Sequence, residues 1–286
     1  MTLWEWFWIG EGKGFLCGEK YFPAKPLDLT LHIIYTVSGM EYKFASEYIN
    51  YTDLASGHVF YSLPGHPAFP VRLASEIYQR GLELRGKGNS ACTIYDPCCG
   101  AAYHLSVIAY LHWDSVCRVI CSDINEKAVQ LAERNLGLLT PSGMERRSRE
   151  ISAMVRLYDK KSHKEALESL TRMQEQVNQL TAVRPIQTRL FQADATDAAS
   201  LREGLQDTFI DMVITDIPYC QNSKWEQTQA ADPAWAMLEA LFSFLPLKSI
   251  LAVASDKQQK ISHEKYKRLE KIQIGKRQVV FLEPLS

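Results

Sequence analysis

From about residue 91 onward the chain alternates short apolar runs with helical patterns, and this alternation constrains the fold more than any other feature. The runs 91–95, 116–122, 186–192, 211–215, 249–254 and 278–282 are rich in Val, Ile, Leu and Cys and have the length of strands buried on both faces. Between them, 103–113, 126–139, 198–205 and 233–245 are long and periodic enough for covering helices, and Asn125 stands where an N-cap belongs. Such alternation builds a parallel sheet with helices on both faces, so the expected fold is α/β: a doubly wound, mostly parallel, Rossmann-like sheet. Residues 141–185 interrupt the rhythm and are far longer than an ordinary connection. Leu167, Leu170, Met173, Val177 and Leu180 recur there at spacings of three and four, which predicts a helical insertion whose second half is amphipathic.

Residues 40–286 read as a single domain carrying that insertion. Residues 1–39 read differently: Trp4, Trp6, Phe7 and Trp8 crowd the start and are succeeded by Gly10, Gly12, Gly14 and Gly18, so an arm that is disordered, or an artefact of an upstream start before Met40, is expected. Glu5 splits the aromatic residues and no Lys or Arg precedes them, which argues against a secretory leader. At 286 residues and 46% hydrophobic the chain can bury a proper core, and its longest apolar runs fall short of a membrane span. Seven cysteines without paired CxxC hooks fit reduced thiols in the cytoplasm and no metal site.

The chemistry is concentrated where the runs end. The first ends in Asp96-Pro97-Cys98-Cys99-Gly100-Ala101-Ala102 and enters a helix directly, the place where an α/β sheet binds a nucleotide-like ligand. Small residues (Cys98, Gly100, Ala102) suit a turn whose backbone must approach its ligand closely. The second run ends in Ser122-Asp123, where an acid can accept both hydroxyls of an adenosine ribose, and the third is followed by Asp194-Ala195, where a carboxylate can accept from an adenine amino group. A single strand-end acid is usually a solvated one; three in register point to an adenosine site. The fourth run feeds Asp216-Ile217-Pro218-Tyr219, which matches the [DN]-x-P-[YFW] loop of methyltransferases acting on amino nitrogens. Asp216 and the carbonyl of Ile217 or Pro218 can accept from such a nitrogen, and Tyr219 offers a face on which a base can stack. The expected cofactor is S-adenosyl-L-methionine, and the expected architecture is the class I methyltransferase sheet.

Charge supplies the candidate substrate contacts. Thirty-two basic residues against thirty-three acids leave the chain at −1, so no global field attracts nucleic acid. Residues 257–277, however, hold Lys257, Lys260, Lys265, Lys267, Arg268, Lys271, Lys276 and Arg277 against only Glu264 and Glu270, a local +6 beside −7 for the remainder. This is a candidate phosphate-binding patch, with a solvated helix face as the bland alternative, and Arg146 and Arg147 in the insertion form a smaller second cluster.

On the blocks Asp53-Leu54-Ala55-Ser56-Gly57, Pro67-Ala68-Phe69-Pro70-Val71-Arg72-Leu73-Ala74, Asp96–Gly100 and Asp216–Tyr219, with Ile274-Gly275 followed by Arg277, the chain resembles the avilamycin-resistance rRNA methyltransferase family from about Thr52 to Leu282. The resemblance implies methylation of a guanine base and 23S rRNA, or the precursor of the large ribosomal subunit, as the partner. The family pattern has Ser-Gly where this chain has Ala101-Ala102, and Gly where Cys220 follows Tyr219. If position 102 needs a positive φ, Ala there costs about 1 kcal/mol relative to Gly. Read without the resemblance, the same residues also fit an N-methyltransferase of DNA or protein, or an RNA-binding protein with a degenerate cofactor turn.

Overall fold

The computed structural model describes residues 42–47, 49–62, 68–86, 91–218, 225 and 230–286; the arm 1–39 and Tyr219 fall outside them. Seven strands form one sheet in the order β3-β2-β1-β4-β5-β7-β6. They are β1 (Cys92–Asp96), β2 (Val116–Asp123), β3 (Gln187–Gln192), β4 (Met212–Asp216), β5 (Ile250–Asp256), β6 (Tyr266–Ile274) and β7 (Arg277–Pro284). The strands β1 to β5 pair in parallel, and β7 runs antiparallel to both β5 and β6. The order reverses beside β1, so the carboxyl ends of β1 and β4 flank the crevice at which doubly wound sheets place their ligands. This is the doubly wound, mostly parallel sheet expected from the alternation.

Every residue of β1 is buried, because helices cover both faces of the sheet. On one face Ile94, Met212 and Phe281 join α1 (Val71–Arg85), α2 (Tyr103–Leu111) and α3 (Glu126–Gly137) in a single apolar cluster. On the other Tyr95, Val213 and Val280 pack against α6 (Ala198–Leu205) and α7 (Pro233–Phe242). Asn125 caps α3 by accepting from the amides of Lys127 and Ala128. The insertion is a helical hairpin, α4 (Pro141–Tyr158) and α5 (Lys161–Val183), with Leu170, Met173 and Val177 of α5 buried and Leu167 and Leu180 packed at the margin. Ser169 of α5 donates to Asp53 at 2.6 Å, fastening the insertion to a short 3-10 turn at Thr52–Leu54.

Two elements depart from the periodic reading. Helix α1 buries charge: Glu76, fully inaccessible, accepts from the amides of Lys43, Phe44 and Ala45 and from Arg80, while Arg85 pairs with Asp211 at 2.7 Å. Strand β6 lies within the basic segment, so Lys267, Arg268 and Lys271 sit on a strand rather than a helix face. Among the described residues no helix is long and apolar enough to cross a membrane.

Candidate active site

The turn after β1 is held by its own acids. Asp96 is inaccessible to solvent and accepts from the Cys98 amide at 2.9 Å, while the Cys99 amide donates to the Ser122 carbonyl of β2. The amides of Gly100 and Asn125 then donate to the two oxygens of Asp123, at 2.8 and 2.9 Å. Asp123 therefore closes the turn as well as marking the end of β2. Gly100 and Ala102 both take left-handed backbone conformations, φ +52° and φ +51°. The condition raised by the sequence is thus met: an alanine occupies a position that costs an L-residue about 1–2 kcal/mol. Burial pushes the thiols of Cys98 and Cys99 well up, with the charges of Asp96 and Asp123 adding to it, so both stay protonated fillers of the turn. Asp194, one strand further on, accepts from the amide and hydroxyl of Thr196, each at 2.8 Å, and Ala195 beside it is buried.

Asp216 ends β4 on the other side of the crevice, followed by Ile217, whose amide donates to Ala254 of β5, and by Pro218. Three side chains from distant segments gather here. Arg277, the first residue of β7, brings Nη2 to 3.8 Å from Asp216 Oδ2. Its guanidinium lies 5.2 Å from the centre of the Phe69 ring, and Phe69 in turn lies 5.4 Å from the ring of His104 on α2. His104 Nε2 stands 3.1 Å from Asp96 Oδ2 and 3.4 Å from the Ile214 carbonyl, which links the end of β1 to the middle of β4. Burial opposes the charged imidazole, but the Asp96 hydrogen bond and charge, with Asp216 and the Ile214 carbonyl, outweigh it and raise its pKa. Sequence reasoning missed His104 because it sits within an apolar helical run. It quoted Phe69 only within a matching block, and counted Arg277 among phosphate contacts.

The cationic patch is rearranged. Arg147 is buried: it donates to the carbonyls of Val59 and His58 at 2.8 and 3.1 Å and covers one face of Tyr61, with Arg134 on the same ring at 4.0 Å. It is a structural cation, which corrects its assignment to an RNA-binding surface; Arg146 beside it is exposed. The run 257–277 does not present one face either. Lys267 and Arg268 pair with Glu283 and Leu282 at one end of the hairpin, whereas Lys276 occupies the turn at the other, roughly 25 Å away along the strand. Lys265 is bound to Glu239 at 2.6 Å and Lys271 lies midway along β6. Exposed Lys257, Lys260 and Lys276, with Arg277 behind them, lie toward the end of the hairpin that carries the candidate site.

A family model described as rRNA methyltransferase AviRa matches residues 40–277. A curated protein of Streptomyces viridochromogenes, named 23S rRNA (guanine(2535)-N(1))-methyltransferase, is 39% identical over 241 residues, which is 84% of this chain and 95% of that protein. Two solved structures of rRNA methyltransferase aviRa from the same organism superpose with a TM-score of 0.76 at 37% and 36% identity, each over 85% of this chain and 96% of the solved chain.

Proposed function

The chain belongs to the AviRa family of rRNA methyltransferases, and from that premise we propose that it methylates N1 of a guanine in 23S rRNA or in the precursor of the large subunit, in the cytoplasm. The observation that carries the site assignment is the adjacency of two acid-bearing strand ends: the turn locked by Asp123 and the Asp216 loop, joined through His104.

The residues of the turn fit S-adenosyl-L-methionine. A side chain at Gly100 would meet nothing within 4 Å, so this position borders open space beside a helix N-terminus. Asp123 and Asp194, both partly exposed, supply carboxylates at the successive strand ends where ribose hydroxyls and an adenine amino group need acceptors. Asp96, Cys98, Gly100, Ala102 and Ala195 shape the floor between them. When bound, this donor supplies an electrophilic methyl group on a sulfonium. Asp216 and the carbonyl of Ile217 or Pro218 hold the N–H of the target base, and Tyr219 stacks on its ring. Catalysis is then mainly alignment, since well-oriented reactants lower the barrier by several kcal/mol. Lys257, Lys260 and Lys276 are the cations left to meet the RNA backbone on this side, with Arg146, Lys265, Lys267, Arg268 and Lys271 available to a longer RNA.

Incubating the protein with labelled donor and total RNA, DNA or protein tests this reading. Label in 23S rRNA, with a reverse-transcription stop at one guanine, is expected because an N1 methyl blocks base pairing. Label in protein or DNA alone overturns it.

A further inference from the structure

Building on the guanine-N1 reading, we propose that Arg277 is a base-reading residue: its guanidinium donates to O6 of the guanine whose N1–H faces Asp216, and stabilises the charge that O6 takes when N1 loses its proton.

The placement of Arg277 sets it apart from the other cations of its segment. Gly275 and Lys276 form a two-residue hairpin turn, with Gly275 at φ +58°, and Arg277 is in register with Ile274 on one side and Asp256 on the other. The next residue, Gln278, is buried and donates to Ser255 Oγ at 3.1 Å and to the Asp256 carbonyl at 3.0 Å, so the backbone beneath Arg277 is fixed. Its side chain is 19% exposed and flanked by the Phe69 ring, whereas Lys257, Lys260 and Lys276 stand in solvent. At 3.8 Å from Asp216, wider than the 2.7–2.9 Å of a charge-assisted hydrogen bond, the guanidinium stands beside the carboxylate at the rim.

That pair carries a pattern. The Watson–Crick edge of guanine presents a donor at N1 beside an acceptor at O6, and a carboxylate beside a guanidinium complements this order. Adenine presents the reverse, an acceptor at N1 beside an amino donor, and would set acceptor against acceptor and donor against donor. In the transfer, the N1 proton passes to the Asp216 carboxylate and N1 bonds the methyl carbon as the carbon–sulfur bond breaks, its electron pair staying on sulfur. Asp216 later releases the proton to water. The negative charge developing on the base is shared with O6, where Arg277 meets it, which is the work of an oxyanion donor.

Arg277→Gln and Arg277→Lys, made in the full chain and assayed on an rRNA fragment holding the target guanine, test this. Removal of such a donor is expected to lower kcat by about 10²-fold or more in Arg277→Gln, with donor affinity and melting temperature unchanged. The remaining turnover should climb with pH more steeply than that of the wild type, as hydroxide assists the loss of the N1 proton, and Arg277→Lys should fall between. A raised KM for RNA with kcat and pH profile unchanged, and a salt slope lower by about 0.7, overturns the proposal in favour of a phosphate contact. Lower melting temperature and weaker donor binding in both variants overturn it in favour of a structural strut. A wild-type protein that places no methyl on guanine overturns the underlying reading itself, and is recognised before any variant is made.

Discussion

The two halves of the sheet build their sites by different means. On the β3-β2-β1 side each acid sits at a strand end and bonds amides within a few residues or on the adjoining strand: Asp96 to Cys98, Asp123 to Gly100 and Asn125, Asp194 to Thr196. On the β4-β5-β7-β6 side Asp216 faces Arg277, whose guanidinium lies against Phe69, and lies within the electrostatic reach of His104, all three remote from it and from one another in sequence. A site made of local turns can be read from a motif; a site made of converging side chains needs the fold. The first half should therefore govern affinity for the donor and the second half turnover.

The sharpest way to break that division is Asp216→Ala. It should lower kcat by about 10²-fold or more, because the acceptor matters most as charge develops, while the dissociation constant of S-adenosyl-L-methionine, measured by calorimetry, stays put. Weakened donor binding in this variant would merge the halves. Asp123→Ala should instead raise the donor dissociation constant at least about tenfold, through loss of charge-assisted acceptors worth roughly 1.5–3 kcal/mol. Since Asp123 also holds the Gly100 amide, the turn loosens with it. An unchanged constant would remove β2 from the donor site. The smallest effect is expected at Ala102→Gly. Relief of the left-handed alanine, partly offset by the greater freedom of glycine in the unfolded chain, should leave a gain of up to about 1 kcal/mol, read as a rise of about 2–4 °C in melting temperature with donor binding equal or tighter. A loss of binding would show that this chain's turn relies on the alanine methyl.

Strands β1, β2, β4 and β5 were legible because most of their residues are buried, which writes them as apolar runs with acids at the exits, and β1, β2 and β4 end within a residue of where those runs stop; β3, expected from the run 186–192 to be buried on both faces, is instead a border strand with none of its residues fully buried. Helix α6 coincides with its run, and the Asn125 cap reads directly from the residue type. Strand β6 was not legible, since it packs only part of its residues inward and displays Lys267, Arg268 and Lys271. Helix α1 hides Glu76, Arg80 and Arg85 in the interior, and polar burial leaves no periodic apolar signature. Charge counting likewise gave Arg147 the same weight as Arg146, although one is wrapped by backbone carbonyls and the other faces solvent. His104 shows the converse: only tertiary contact with Asp96 distinguishes it from a core filler.

The basic character of β6 has a consequence for the chain's behaviour in company with its own copies. Among the described strands β6 is the outermost, and an outermost strand offers its main-chain groups to any other extended segment. Two molecules aligned edge to edge would bring Lys267, Arg268 and Lys271 of each within the reach of the other's, at an interstrand spacing of about 4.8 Å, and like charges so close repel. The opposite border is guarded differently: Arg189 of β3 turns its guanidinium back onto the Leu205 carbonyl at 2.9 Å and the side chain of Gln206 at 2.8 Å. Cations along β6 therefore discourage polymerisation through the sheet.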